Sequence, residues 1–288
     1  MNKQLLEKIG MASLIEKAIK EPGELSKCYS LFHDYSLLNT LYIFRQLRHR
    51  GLPIEPIKGY KAWGELNRKV RPDEMGKKTP YGFTNGIEIL FPKFSTFPKK
   101  DANGEIVKDK DGNPVMIKVL RTFNYYRWHF SASQTDIIDP SKKTETMTEN
   151  RFNIDIPKLC KALDIEIVDY DSLDGNCQGW AIPRDRKLAI NPVAEHITET
   201  AIHEIAHIVL DHNNAKYERA IKEVEAETVA YIVLTVCNNE NIDLSNNRAY
   251  IQKWLGSNEM TDEIANRIMR GASKILDTLK EKKDKGAD

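Results

Sequence analysis

The segment His203-Glu204-Ile205-Ala206-His207 sets two imidazoles four residues apart with a carboxylate beside the first. On a helix such positions share one face a turn apart, so both rings can bind one zinc ion while Glu204 reaches a water on that metal. A chain with 7 histidines in 288 residues yields roughly 0.01 such motifs by chance. The spacing therefore predicts zinc ligands at His203 and His207 and a general base at Glu204. Peptide hydrolysis is the chemistry that follows, since the metal lowers the pKa of bound water toward about 7 and polarises the carbonyl under attack. Zinc is the expected ion, and another divalent ion such as Mn2+ suits the same donors.

A catalytic zinc site also needs a third protein ligand and an open position. The acid-rich stretch EVEAE downstream offers candidates. Glu223 and Glu227 are four apart and share a helix face, whereas Glu225 points away from both. Glu223 is assigned as the third ligand, with Glu227 accepting from the free ring nitrogen of a metal-bound histidine. Helix phase groups these acids without fixing which group faces the metal, so Glu225 or Glu227 remains the alternative ligand. His212 is one residue out of register with a third-histidine pattern, since Asn213 occupies that position. It reads as a helix-end histidine, and His196 and His129 read as structural or surface residues. Tyr231, one turn beyond Glu227, reads as core.

The elements that must position these groups are legible from periodicity. Ile202, Ile205, Ala206, Val209 and Leu210 give the motif helix an apolar stripe, preceded by a strand-like RKLAINP. Beyond residue 198 the pattern is helical nearly to the end. Earlier, residues 154–163 predict a helix, and residues 165–170 and 187–191 predict strands. The front of the chain opens with amphipathic helices at residues 3–20 and 31–48, the first stopped by Pro22-Gly23. Strand-forming runs follow at residues 87–91, 115–119 and 122–130, with turn signals at Asn85-Gly86, Asn103-Gly104 and Asp111-Gly112. The DKDGN segment reads as a turn and not a calcium loop, because no acid stands at the twelfth position. The expected fold class is α+β: an α+β domain over residues 1–138, a polar linker over 139–153, and a mainly helical domain with a short sheet over 154–288.

Composition excludes several classes. The chain is 41% hydrophobic and 30% charged, which disfavours a disordered tail. No apolar run is long enough for a membrane span, and the N-terminus lacks a signal h-region. Four cysteines without CxxC spacing disfavour a disulfide scaffold or thiolate zinc site, and a cytoplasmic location is expected. The net charge of +1 hides an asymmetry: residues 1–140 hold 23 basic against 16 acidic side chains, and the remainder 20 against 26. The basic front half suggests an anionic partner.

Two blocks of the sequence resemble one family. SLFHDYSLLNTLYIFRQ, IKGYKAWGELNRKV, GIEILFP and FNYYRWHFSASQTD look like the N-terminal single-stranded-DNA-binding domain of ArdC-like antirestriction proteins. The matching positions are His33, Tyr35, Ser36, Asn39, Gly59, Tyr60, Trp63, Arg68 and Arg71. HEIAH with EVEAETVAYIV and YIQKWL is similar to the zincin-like, gluzincin-type metallopeptidase domain of the same family, shared with ImmA/IrrE-type peptidases. The chain departs from the family in its RPDEMGKKTPYGFTNG turn and in an insertion over residues 94–116. The resemblance implies protection of a mobile element's DNA from restriction, or a related task in conjugation.

Single-strand binding needs cations along the phosphates and exposed rings for stacking, each stack worth about 1–3 kcal/mol. Candidates are Tyr35, Asn39, Arg45, Arg48, Tyr60, Lys61, Trp63, Arg68, Lys69 and Arg71. The expected partners are single-stranded DNA and a protein substrate, with no membrane. The competing reading is a DNA-coating protein whose metal domain is structural or vestigial.

Overall fold

The structure, a computed structural model, describes residues 10–20, 22–32, 35–101, 103–142, 153–171, 177–213, 217–237 and 243–280. The expectations for His33, for residues 3–9 of the first helix and for most of the 139–153 linker lie outside the described residues. Contacts divide the chain into two units: Gly10 and the described residues of 57–142 form one, and those of 11–56 and 153–280 form the other. This differs from the division into residues 1–138 and 154–288 expected above.

The physical reason lies in the three front helices, α1 (Met11–Lys20), α2 (Pro22–Leu31) and α3 (Leu37–His49). Their apolar faces bury against the C-terminal helices of the chain, and polar bonds pin them there. Ile19 O accepts from Tyr231 Oη at 3.3 Å, Lys20 O accepts from Arg248 Nη2 at 2.9 Å, and Tyr35 O accepts from Lys280 Nζ at 3.2 Å. Pro22 begins α2 instead of merely stopping α1, because its fixed φ and missing N–H suit a first helical turn. The helix expected at 31–48 starts at Leu37, where Ser36 Oγ caps it by accepting from the Asn39 N–H at 3.3 Å.

The sheet unit runs β1 (Ile57–Gly59), α4 (Tyr60–Glu65), β2 (Arg68–Val70), α5 (Pro72–Met75), β3 (Lys78–Thr79), β4 (Gly82–Phe83), β5 (Ile87–Pro98), β6 (Met116–Ser131) and β7 (Thr135–Ile137). β6 is its spine, pairing antiparallel with β1 and β5 and parallel with β4, which pairs β3; β2 and β7 form a separate ladder. The strands expected at 115–119 and 122–130 are one strand, paired with β5 through a register shift at Lys93/Phe94. Trp63, Val70, Phe83 and Phe130 make the core. Between β5 and β6, Asp101 Oδ1 accepts from the Asn103 and Glu105 amides, and Asp109 Oδ1 accepts from those of Asp111 and Asn113, all at 2.9 Å. Gly104 and Gly112 follow at φ of 84° and 82°, which suits glycine.

The helical unit continues with α6 (Ile156–Ala162), β8 (Glu166–Ile167), β9 (Gly179–Ile182), β10 (Lys187–Ile190), α7 (Ile197–Val209), α8 (Arg219–Val236), α9 (Ser245–Ser257) and α10 (Asp262–Leu279). β10 is central in a small mixed sheet, antiparallel to β9 and parallel to β8. α8 is the hub. From Val224 to Val236 nearly every side chain is buried, as expected of a helix enclosed on all sides, here by α7, α9, α10 and α2. Among the described residues, no helix is long and apolar enough to cross a membrane.

Candidate metal centre

α7 buries Ala201, Ile202, Ile205, Ala206 and Ile208 and leaves His203 and His207 half-buried on its flank toward α8. Three donor atoms converge there. His203 Nε2 and His207 Nε2 are 3.1 Å apart, and Glu223 Oε2 lies 3.6 Å from the first and 3.7 Å from the second. Among the described residues these three are the cluster that could hold a metal ion. Bonds of about 2.0–2.1 Å at tetrahedral angles place ligand atoms about 3.3 Å from one another, so the triangle fits the ion that the sequence implies. Glu223 keeps 36% of its side chain exposed, which leaves solvent a way in.

The other polar atoms around this triangle fix its orientation. Glu227 Oε2 accepts from His203 Nδ1 at 2.9 Å, leaving Nε2 turned toward the triangle. Glu223 and Glu227 thus share a face of α8 on which Glu225 does not lie. Burial lowers the pKa of His203, but contacts with Glu223 and Glu227 outweigh it and lift the value to about 10. Glu223 is held well below the usual carboxylate range by His203 and then His207. Glu204 is raised, chiefly by burial, with His203 and His207 opposing and Glu223 adding to the rise. A carboxylate lifted in this way and lying in the field of the two histidines is suited to take up a proton. Tyr250 on α9 is 44% exposed and feels the charges of Glu223 and Glu227, after burial, as an upward shift.

Sequence reasoning missed the support behind His207. α7 ends at Val209, and Asp211 takes a left-handed conformation with φ of 53°, which Asp tolerates better than most residues. The chain therefore turns back, and His212 Nδ1 comes to 2.7 Å from His207 Nδ1. His212 Nε2 in turn lies 3.0 Å from Glu225 Oε2, and Arg267 of α10 grips both oxygens of Glu225 at 2.7 and 3.1 Å. Glu225 is fully buried and His212 nearly so. Glu225, an alternative ligand by sequence, is thus engaged on the far side of His207. Tyr231 is core, as expected. His196 stands at the N-cap of α7, and His129 is packed into β6.

The ten expected DNA-binding residues divide between the units. Tyr35, Asn39, Arg45 and Arg48 belong to the helical unit, where the two arginines are exposed on α3. Tyr60, Lys61 and Lys69 are exposed on the sheet unit. One expectation there is corrected, and two arginines have partners within the unit. Trp63 is 2% exposed and donates from Nε1 to Phe130 O at 3.0 Å, so no base can stack on it. Arg68 donates from Nε to Thr135 Oγ1 at 2.6 Å and from Nη2 to Ala132 O and Thr135 O at 3.1 Å each. Arg71 is paired with Glu74 at 2.8 Å and lies 3.7 Å from Asp136, which offsets its charge. The ring of Tyr60 leans on Phe83 with centroids 5.3 Å apart and keeps its outer part in solvent.

No protein-family model and no curated protein matches the chain. Among solved structures, the chain is similar to the metal-free crystal structure of antirestriction ArdC protein from R388 plasmid. Identity is 17%, coverage is 93% of this chain and 96% of that one, and the TM-score is 0.48. The Mn(II)-bound crystal structure of that protein gives 16%, the same coverages and a TM-score of 0.47. The metal reading rests on the donor triangle of this chain itself.

Proposed function

We propose that the chain is a divalent-metal-dependent peptidase that acts as an ArdC-like antirestriction protein of a mobile element and binds single-stranded DNA. The observation that carries the reading is the convergence of His203 Nε2, His207 Nε2 and Glu223 Oε2 within 3.1–3.7 Å, beside a half-buried Glu204. These three atoms would hold zinc or manganese, and a bound ion of that kind makes water a better nucleophile and polarises a peptide carbonyl. Glu204 takes the proton of the attacking water and returns it to the leaving amine as the C–N bond breaks. Glu227 keeps the His203 ring in the ligating orientation through its 2.9 Å contact. The exposed Tyr60, Lys61 and Lys69, with the basic surplus of residues 1–140, support the nucleic-acid part of the reading.

Glu204→Gln tests the enzymatic claim. It removes the base and leaves the three donors, so metal content and oligonucleotide binding stay at wild-type level. Cleavage of denatured casein or of a peptide library falls by about 100-fold or more. Full cleavage by that variant would refute the role of Glu204. Full antirestriction activity in cells with cleavage abolished would show that proteolysis is not what the element uses.

A further inference from the structure

Resting on the reading that His203, His207 and Glu223 hold a divalent ion, we propose that His212 is a positioning residue for the metal site. With Glu225 and Arg267 behind it, it fixes the tautomer and ring orientation of His207. Valence and distance carry the argument. If Nε2 of His207 gives its lone pair to an ion, the ring proton must sit on Nδ1. The 2.7 Å Nδ1–Nδ1 contact holds one proton, so His212 Nδ1 accepts and its own proton is on Nε2. That proton faces Glu225 Oε2 at 3.0 Å. Arg267 holds this carboxylate by two bonds, and a third from its Nη2 reaches Leu210 O at 3.4 Å, beside the end of α7. Every proton in the chain Arg267, Glu225, His212, His207 then has one place to be. Reversing the His207 tautomer alone leaves two lone pairs facing each other between the rings in a buried setting, and reversing His212 as well leaves a lone pair against the Glu225 carboxylate.

The two histidine ligands are thus supported unequally. His203 donates directly to a carboxylate, and His207 donates to an imidazole that donates to one. A purely structural cluster of Glu225 and Arg267, joining α8 to α10, would need no ring aimed at the back of a ligand. Its removal would alter folding and leave ion binding alone. The left-handed Asp211 is what brings the ring there.

The test is competitive titration of the full chain with Co2+, read by visible absorption, for wild type, His212→Phe and His212→Gln. Phe keeps the volume and removes the acceptor; Gln restores an acceptor for His207 and a donor for Glu225. The expected result is affinity weakened about 10–100-fold in the Phe variant with an altered cobalt band, and recovery to within about threefold in the Gln variant. Wild-type affinity and an unchanged band in the Phe variant would overturn the proposal while leaving the metal site standing. Absence of ion binding by the wild type would overturn both. Independently of any variant's folding, long-range nitrogen–proton NMR of histidine-labelled, zinc-loaded wild type should show His207 protonated on Nδ1 and His212 on Nε2. Any other assignment contradicts it.

Discussion

Glu225→Ala tests the energetics of the support cluster without reference to catalysis. The carboxylate is fully buried, accepts from Arg267 at 2.7 and 3.1 Å, and lies 3.0 Å from His212 Nε2. Removing it strands a guanidinium whose side chain is only 16% exposed, as well as a buried imidazole. Breaking a buried pair by deleting one partner costs about 3–5 kcal/mol, because the remaining charge loses its compensation in a poorly solvated place. A loss of about 4 kcal/mol is therefore expected in urea unfolding with chelator present, followed by helical circular dichroism. Arg267→Met should cost about 3 kcal/mol by the same argument, and the double variant Glu225→Ala/Arg267→Met much less than the sum. A Glu225→Ala loss below about 1 kcal/mol, or additive single effects, would refute the claim that these groups are a desolvated, mutually dependent set.

Three further predictions concern the sheet unit. Burial lowers the pKa of His129 to about 4 from 6.5, so the folded form binds fewer protons than the unfolded form between those values. Stability contributed by the neutral ring is then present above about pH 6.5 and lost as pH falls toward 4, by about 3 kcal/mol in all. His129→Gln should flatten that part of the profile, and an unchanged slope would contradict it. Trp63→Phe should destabilise the unit by about 1–2 kcal/mol, through loss of the bond to Phe130 O, and leave oligonucleotide affinity unchanged. Lys61→Ala/Lys69→Ala should reduce affinity and shallow its salt dependence in fluorescence anisotropy; the reverse pattern would exclude this surface.

What could be read in advance follows from what periodicity encodes. Helix phase is a local property, so the spacing of His203, His207, Glu223 and Glu227 already says which of them share a face, and the structure brings those faces together. The role of Glu225 depends on Arg267, 42 residues away, and nothing local signals it. His212 escaped because extending a helix past Leu210 gives the wrong direction for its ring. Only the left-handed turn at Asp211 returns it. The front helices show the same limit on a larger scale. An amphipathic pattern in α1 states that a face is buried but not against what, and here it packs against α10 from the far end of the chain. Tyr60 and Trp63 sit three residues apart on α4, yet one is exposed and the other is core. Residue type alone could not separate them.

The central claim is a divalent ion held by two imidazoles and a carboxylate, and metal content measures it most directly. After loading with zinc or manganese and exhaustive dialysis, mass spectrometric metal analysis should find one ion per wild-type chain and almost none in His203→Ala/His207→Ala, with Glu223→Gln intermediate. A metal-free wild type, or the full ion retained by the double variant, would contradict the account.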